Sequence, residues 1–173
     1  MALPNTLLSG YAASLWVQTG SPPVPLTTTQ LATWTAEVTT IVGASANGTG
    51  GAGEQLNVES IPAFGRDDAS VNFAVAGSRE SDVIPVQAKP TSMTITAPWN
   101  PSDPGLLLMR ADSDAGNVDR TYVIACTSGA NTIAYAFNAR VGQFHIESAT
   151  NSEAKCVFTL HRRGNQFGIC NNT

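Results

Sequence analysis

Charge is what this 173-residue sequence has least of: Asp, Glu, Lys and Arg together make up 13% of it, about half of the ~25% usual in globular proteins. Lysine occurs only at Lys89 and Lys155, and the arginines are scattered apart from the pair Arg162 and Arg163. Residues 1–65 contain Glu37, Glu54 and Glu59 and no basic residue. With a net charge of −4 and no basic cluster, the chain lacks the cations that displace counterions from a nucleic acid, which argues against tight binding to one. A surface past which DNA must slide without adhering is neutral or acidic for the same electrostatic reason.

Other scarcities exclude further classes. Cys126, Cys156 and Cys170 are odd in number, widely spaced and without a C-x-x-C pair, so neither a disulfide framework nor a zinc knuckle is indicated. His145 and His161 are the only histidines, neither has a partner at metal-ligand spacing, and both read as surface or interface residues. No apolar run approaches 20 residues, which leaves no candidate spanning helix. The opening MALPNTLLSGYAAS has no basic n-region or continuous apolar h-region, so no secretory signal is expected, and synthesis in a cytoplasm with reduced thiols follows. No G-x-S-x-G elbow is present. Asp112, Asp114 and Asp119 surround Gly116 at the wrong offsets for an EF-hand and read as a helix C-terminal turn. No cofactor and no metal are expected.

Gly48, Gly50 and Gly53 spell G-x-G-x-x-G, but the EQLNVESI that follows is β-like and no βαβ unit surrounds it, so a dinucleotide site is rejected. Five glycines in residues 43–54 predict instead a mobile loop between a strand at 34–42 (WTAEVTTIV) and a returning strand at 56–61. The expected long loop is 43–56.

What the sequence does contain is strands. YAASLWVQ (11–18) precedes a Gly-Ser-Pro-Pro turn, and TSMTITAP (91–98) alternates with Met93, Ile95 and Ala97 on its apolar face. Between them, residues 62–90 predict one strand at 71–76 inside loops that hold Asp67, Asp68, Glu80 and Asp82. Asp103 as N-cap, Pro104 at the first helical position and Gly116 as stop predict a helix of about ten residues buried against a sheet. Four strands then follow at 119–127, 132–140, 143–150 and 154–162, separated by SGAN, VG and NSE turns. The expected fold class is mainly β: a two-sheet β-sandwich or barrel with one short flanking α-helix closing an open end and a long Gly-rich hairpin loop. Residues 1–173 are taken as one domain, with an N-terminal arm at 1–10 and a C-terminal tail at 164–173.

The order of these elements resembles a known family. The succession G-Y-A-A-S-L-W-V, E-S-x-P-A-F-G-R-D-D, S-M-T-I-T-A-P-W, P-S-D-P-G-L-L-L-M, Y-A-F-N-A-R-V-G-Q-F-H-I-E-S-A-T and A-K-C-V-F-T-L-H-R-R-G is similar to tail tube proteins (major tail proteins) of long-tailed bacteriophages across about residues 10–165. The resemblance implies a non-enzymatic virion protein whose six copies form a ring, with rings stacking into the hollow tube that conducts DNA. It implies sheets joined between neighbours, which removes edge strands, a long loop reaching a neighbour, matched here to residues 43–56, and location in the virion tail among other tail proteins. On that reading Gly48, Gly50, Gly53, Arg66, Asp67, Asp68, Arg79, Glu80 and Asp82 are candidates for inter-subunit contacts or the lumen. The family shares its fold with secretion-system tubes and tail-completion proteins, so a completion role stays open. A β-sandwich ligand- or carbohydrate-binding virion module using Trp16, Trp34 and Trp99 is the rival from another class, and a small hydrolase the third.

Overall fold

Apolar residues at every second position assign each strand one buried face, and the arrangement of those faces determines the architecture. The computed structural model describes residues 12–20, 23, 25–27, 29, 41, 53–64, 66–67, 70–74, 81–85, 89–128, 131–148 and 153–172. In chain order the elements are β1 (Ala12–Gln18), β2 (Gly53–Leu56), β3 (Arg66–Asp67), β4 (Ser70–Ala74), β5 (Ser81–Pro85), β6 (Lys89–Pro90), β7 (Met93–Pro98), α1 (Pro104–Ala115), β8 (Asp119–Ser128), β9 (Asn131–Glu147) and β10 (Lys155–Asn172). The protein is mainly β.

Six strands form one antiparallel sheet in the order β2-β1-β8-β9-β10-β7. Leu15 and Val17, Leu56, Tyr122 and Ile124, Phe137 and Ala139, Phe158 and Leu160, and Met93, Ile95 and Ala97 all join one buried cluster with Leu106 and Met109 of α1. That cluster draws on every strand of the sheet, including both edges. Laid flat, β2 and β7 would stand about 24 Å apart, at ~4.8 Å per strand. Instead the chain just after β2 donates from Glu59 N to Thr96 O of β7 at 3.0 Å. The sheet therefore coils around its own apolar face until its two ends touch. A second packed sheet, as a sandwich requires, is not among the described residues; the smaller pairs are β3 with β6 and β4 with β5.

On the outer face, Trp16, Val123, Ala125, Ala134 and Ala136 are covered by Leu26 and Ile41. Leu26 is clamped through its backbone: its N–H donates to Thr121 Oγ1 at 2.9 Å, and its carbonyl accepts from Asn138 Nδ2 at 2.8 Å. The two side chains are themselves joined at 2.8 Å. β8 and β9 thus supply the main-chain partners that an irregular segment lacks.

Helix α1 starts and stops where the sequence says it should. Asp103 is extended (φ −79°, ψ 113°) and its Oδ1 accepts from Gly105 N at 2.9 Å and Leu106 N at 3.2 Å. Gly116 takes the left-handed conformation (φ 69°) that glycine adopts without a Cβ penalty, and its N–H donates to Asp112 O. Of the four consecutive apolar residues, Leu106 and Met109 are buried one turn apart while Leu107 is exposed, as a 3.6-residue period demands.

Several boundaries correct the sequence reading. The expected loop 43–56 ends early, because Gly53–Leu56 is β2, paired to β1 rather than to a strand at 34–42. Ile41, the described residue of that stretch, has helical backbone. The two strands expected at 132–140 and 143–150 are one 17-residue strand, β9. Phe158 pairs with Phe144 and Leu160 with Val141, so Gly142 and Gln143 oppose the single Thr159 in a bulge, and the VG signal marked that irregularity instead of a turn. Residues 164–172 of the expected tail are the end of β10, whose Gly168–Asn172 pairs back to β9 after a second irregularity. Residues 62–90 hold four short strands, not one.

Gly53 is required by close approach, since a Cβ there would lie 2.4 Å from the Ile41 carbonyl oxygen. Gly53→Ala is expected to destabilise by about 1–3 kcal/mol through overpacking against backbone. Gly116→Ala, where nothing lies within 4 Å, should cost about 1–2 kcal/mol from backbone strain alone. Urea midpoints of the two variants check both values.

Candidate functional site

With so few charges, their placement is informative. Arg120 of β8 and Asp112 of α1 are both buried and form a two-pronged pair, Nε to Oδ2 and Nη2 to Oδ1, the latter at 3.0 Å. The remaining arm of the guanidinium, Nη1, donates to Gly20 O at 2.7 Å and Gln18 O at 3.3 Å. One side chain therefore joins the helix, the sheet and the chain leaving β1. Behind it the Tyr122 hydroxyl donates to Met109 Sδ at 3.3 Å, and burial pushes the phenol far above its ordinary range, keeping it neutral.

At the other end of α1, Glu54 shares the inward direction of Leu56 and lies beside the capping Asp103. Both are buried. Desolvation first, and the Asp103 charge second, hold the Glu54 carboxyl above its usual 4.5. Gly105 fits between them, a Cβ there falling 3.2 Å from both Asp103 Oδ1 and Glu54 Cγ.

On the outer face, Asp119 is shared by Arg140 at 2.8 Å and Arg163 at 3.8 Å. Lys155 meets Glu59 at 2.6 Å and His145 meets Glu147 at 3.2 Å. Asp112 and Asp119, weighed above for a calcium loop, are thus committed to arginines. Ser92 Oγ sits 3.0 Å from His161 Nδ1, but His161 Nε2 lies over the Gly142 backbone. That geometry tethers β10 to the residues before β7; a hydrolytic triad needs the ring held by a carboxylate. Burial raises the Cys126 and Cys156 thiols, away from the thiolate that nucleophilic chemistry uses.

Of the sequence-predicted site residues, Gly53, Arg66, Asp67 and Asp82 are among the described residues. Gly53 is buried in β2 under Ile41 and is not part of a loop. Arg66 and Asp67 lie in β3, which pairs with β6, and Asp82 lies in β5, which pairs with β4. The registers pair Arg66 with Pro90, Asp67 with Lys89 and Phe73 with Asp82. Gly48, Gly50, Asp68, Arg79 and Glu80 lie outside the described residues, as do 1–10. β6 lies against β10. The aromatics serve the fold: Trp16 is buried, and Trp99 meets Phe144 edge-on with centroids 6.0 Å apart. Trp34 lies outside the described residues. A cleft of about 230 Å³ opens between β1, β2 and the end of β7, bordered by Ser14, Gln55, Asn57, Val58, Glu59 and Pro98.

The Arg120 fork and the Thr121–Asn138 clamp were missed in the sequence. Asp112 carries the one available signal, since it falls on the Leu106–Met109 stripe of α1 and so faces the core.

No protein-family model matches this sequence, and no curated protein matches it. Solved structures do match in fold. A chain in the structure of the anti-feeding prophage baseplate, six-fold symmetrised, superposes with a TM-score of 0.62 at 10% identity, covering 98% of this chain and 97% of its own. Chains from an extracellular contractile injection system, PVC, match in the sheath/tube terminator (TM-score 0.55, 16% identity, 69% and 88% covered) and in the sheath-tube complex (0.50, 15%, 67% and 82%), both in the extended state. The coiled sheet with its single described full helix is thus a fold used in contractile injection machines.

Replacing Arg120 by Met strands a buried carboxylate, so R120M should lose about 3–5 kcal/mol while R120M combined with Asp112→Leu recovers most of it; a double-mutant cycle in denaturant measures both. For Glu54, the folded state binds its proton more readily than the unfolded chain, so stability falls as pH rises above about 4.5. Glu54→Gln should therefore stabilise at neutral pH and lose that advantage near pH 4, read from paired melting curves.

Proposed function

We propose that the chain is a structural subunit of a phage-like tail or injection machine, in which six copies close into a ring and rings stack into a tube. The observation that carries this reading is the end-to-end likeness to a chain of a six-fold-symmetrised baseplate. The internal chemistry agrees: the buried Arg120–Asp112 pair holds α1, β8 and the chain leaving β1 together, and burial raises the Cys126 and Cys156 thiols and the Tyr122 phenol. The elements left for contact with neighbours are the small strand pairs β3–β6 and β4–β5. A two-stranded hairpin is marginal by itself in water, so an arm of that kind gains by lying on a neighbour.

On this reading Arg66 and Asp67 of β3 and Asp82 of β5, together with Asp68, Arg79 and Glu80, pair with the adjoining subunit or border the lumen. Partners are further copies of the chain and other tail proteins. DNA passes transiently without specific contact, which a net-acidic subunit favours. The finished assembly belongs to the virion tail, its subunits being made in the host cytoplasm, and no cofactor takes part.

A terminator or tail-completion role is the second reading, favoured by the match to the sheath/tube terminator. Rings that stack support the tube; rings that stay single support the terminator. Negative-stain microscopy over a concentration series should show six-fold rings or hollow filaments, and a persistent monomer would overturn both readings. Charge reversal at Asp67 together with Asp82 should slow or abolish assembly while leaving the melting temperature within a few degrees of wild type.

A further inference from the structure

Helix α1 is apolar on more than the face it buries. Gly105, Leu106, Met109 and Asp112 face the core. At 3.6 residues per turn, Leu107 and Ala111 point the opposite way with Pro104 and Ala115 beside them, and all four are exposed. Leu107 is 44% exposed, one of two large apolar side chains among the described residues that stand so far out. A second apolar stripe therefore runs along the solvent side of the helix from its first residue to its last.

Two charges border that stripe on one side. Arg110 and Asp114 are exposed and one turn apart. Neither makes an ion pair within the chain, whereas Arg120, Arg140 and Arg163 each do. Spacing and sign make this face complementary to itself. When two α1 helices lie antiparallel and centred on Ala111, Leu107 of one copy sits over Ala111 and Ala115 of the other, a knob in the space that small side chains leave. Arg110 of each copy then comes within about 3 Å, measured along the axis, of Asp114 of the other. The symmetry makes that pair twice. A parallel pairing would set Arg110 level with Arg110 and align the two helix dipoles, which is unfavourable on both counts.

We propose that the free subunit pairs with a second copy through this face of α1, as an antiparallel helix dimer. One patch serves both copies and the contact closes after two. It is thus separate from the head-to-tail contacts of a ring and does not rest on the ring reading above. A helix of 12 residues is about 18 Å long, and a contact of that length falls short of the ~1,200 Å² of a stable interface. The dimer is therefore weak and reversible, a form in which a concentrated pool of free subunits keeps Leu107 from water.

Sedimentation of the full chain over a dilution series reaching about 1 mM should show monomer and dimer in concentration-dependent exchange, with any ring resolved as a separate, faster species. Leu107→Glu sets a carboxylate beside Asp114 of the other copy and should weaken the dimer about tenfold or more. Arg110→Asp and Asp114→Arg should each weaken it about two- to fivefold, and the two combined, with the signs exchanged, should return it to near wild type. All three positions are on the surface, so melting curves should stay within a few degrees of wild type. Ala111→Cys, on the two-fold axis, should give a disulfide-linked dimer on mild oxidation that the wild type, with its own three cysteines, does not give. Monomer at every concentration overturns the proposal. A dimer that Leu107→Glu leaves unchanged places the contact elsewhere and overturns it too, and single charge variants that the exchange fails to rescue overturn the antiparallel pairing.

Discussion

Among the described residues the larger apolar face of the sheet packs on itself and on α1, and most of this structure follows from that constraint. Every strand from β2 to β7 contributes to one cluster, so the sheet must coil until its ends approach, and α1 fills the space the coiling leaves. Each fully buried Leu, Ile or Phe in that cluster contributes about 1.5–3 kcal/mol. The polar devices act as clips on the coil. Asp103 caps the helix that plugs it, Arg120 ties the plug to two strands, and Thr121 with Asn138 pins Leu26 over the outer face.

Scarcity of charge takes on meaning once the pairs are located. Arg120, Arg140 and Arg163 are all directed at carboxylates within the chain, so these three guanidiniums are engaged inside the subunit. Glu54 is the exception, an acid buried beside another acid, and it shows that the fold tolerates a local electrostatic penalty where β2 meets the helix N-terminus. A subunit built this way offers neighbours main chain and shape more than charge.

Much of the fold was legible in the sequence because its signals are local. Alternation in SMTITAP, the Asp-Pro pair before α1 and Gly116 after it each act within a few residues, and each structure follows them. The misreadings came where a local signal had a non-local cause. Gly142 looks like a turn but accommodates His161 from the next strand. Gly53 looks like loop but lies in a strand pressed under Ile41. The Gly-rich run drew attention to 43–56, whereas the pairing with a defined register lies in β3–β6 and β4–β5, whose prolines masked their strands. Buried ion pairs such as Asp112–Arg120 leave almost no trace in sequence, because either partner alone reads as surface.

The position of β1 in the sheet has a consequence for how the chain comes to be made. β1 is complete by residue 18, yet its inner neighbour β8 closes only at residue 128. At ~5–20 residues per second of synthesis, the strand waits about 5–20 s for the ribosome to deliver that partner, with only β2 available beside it. β7, in turn, gains β10 only when the last of the strands emerges. The nascent chain must therefore be kept apart from its siblings on the same message, and a polysome is where chaperone binding would matter most for this protein.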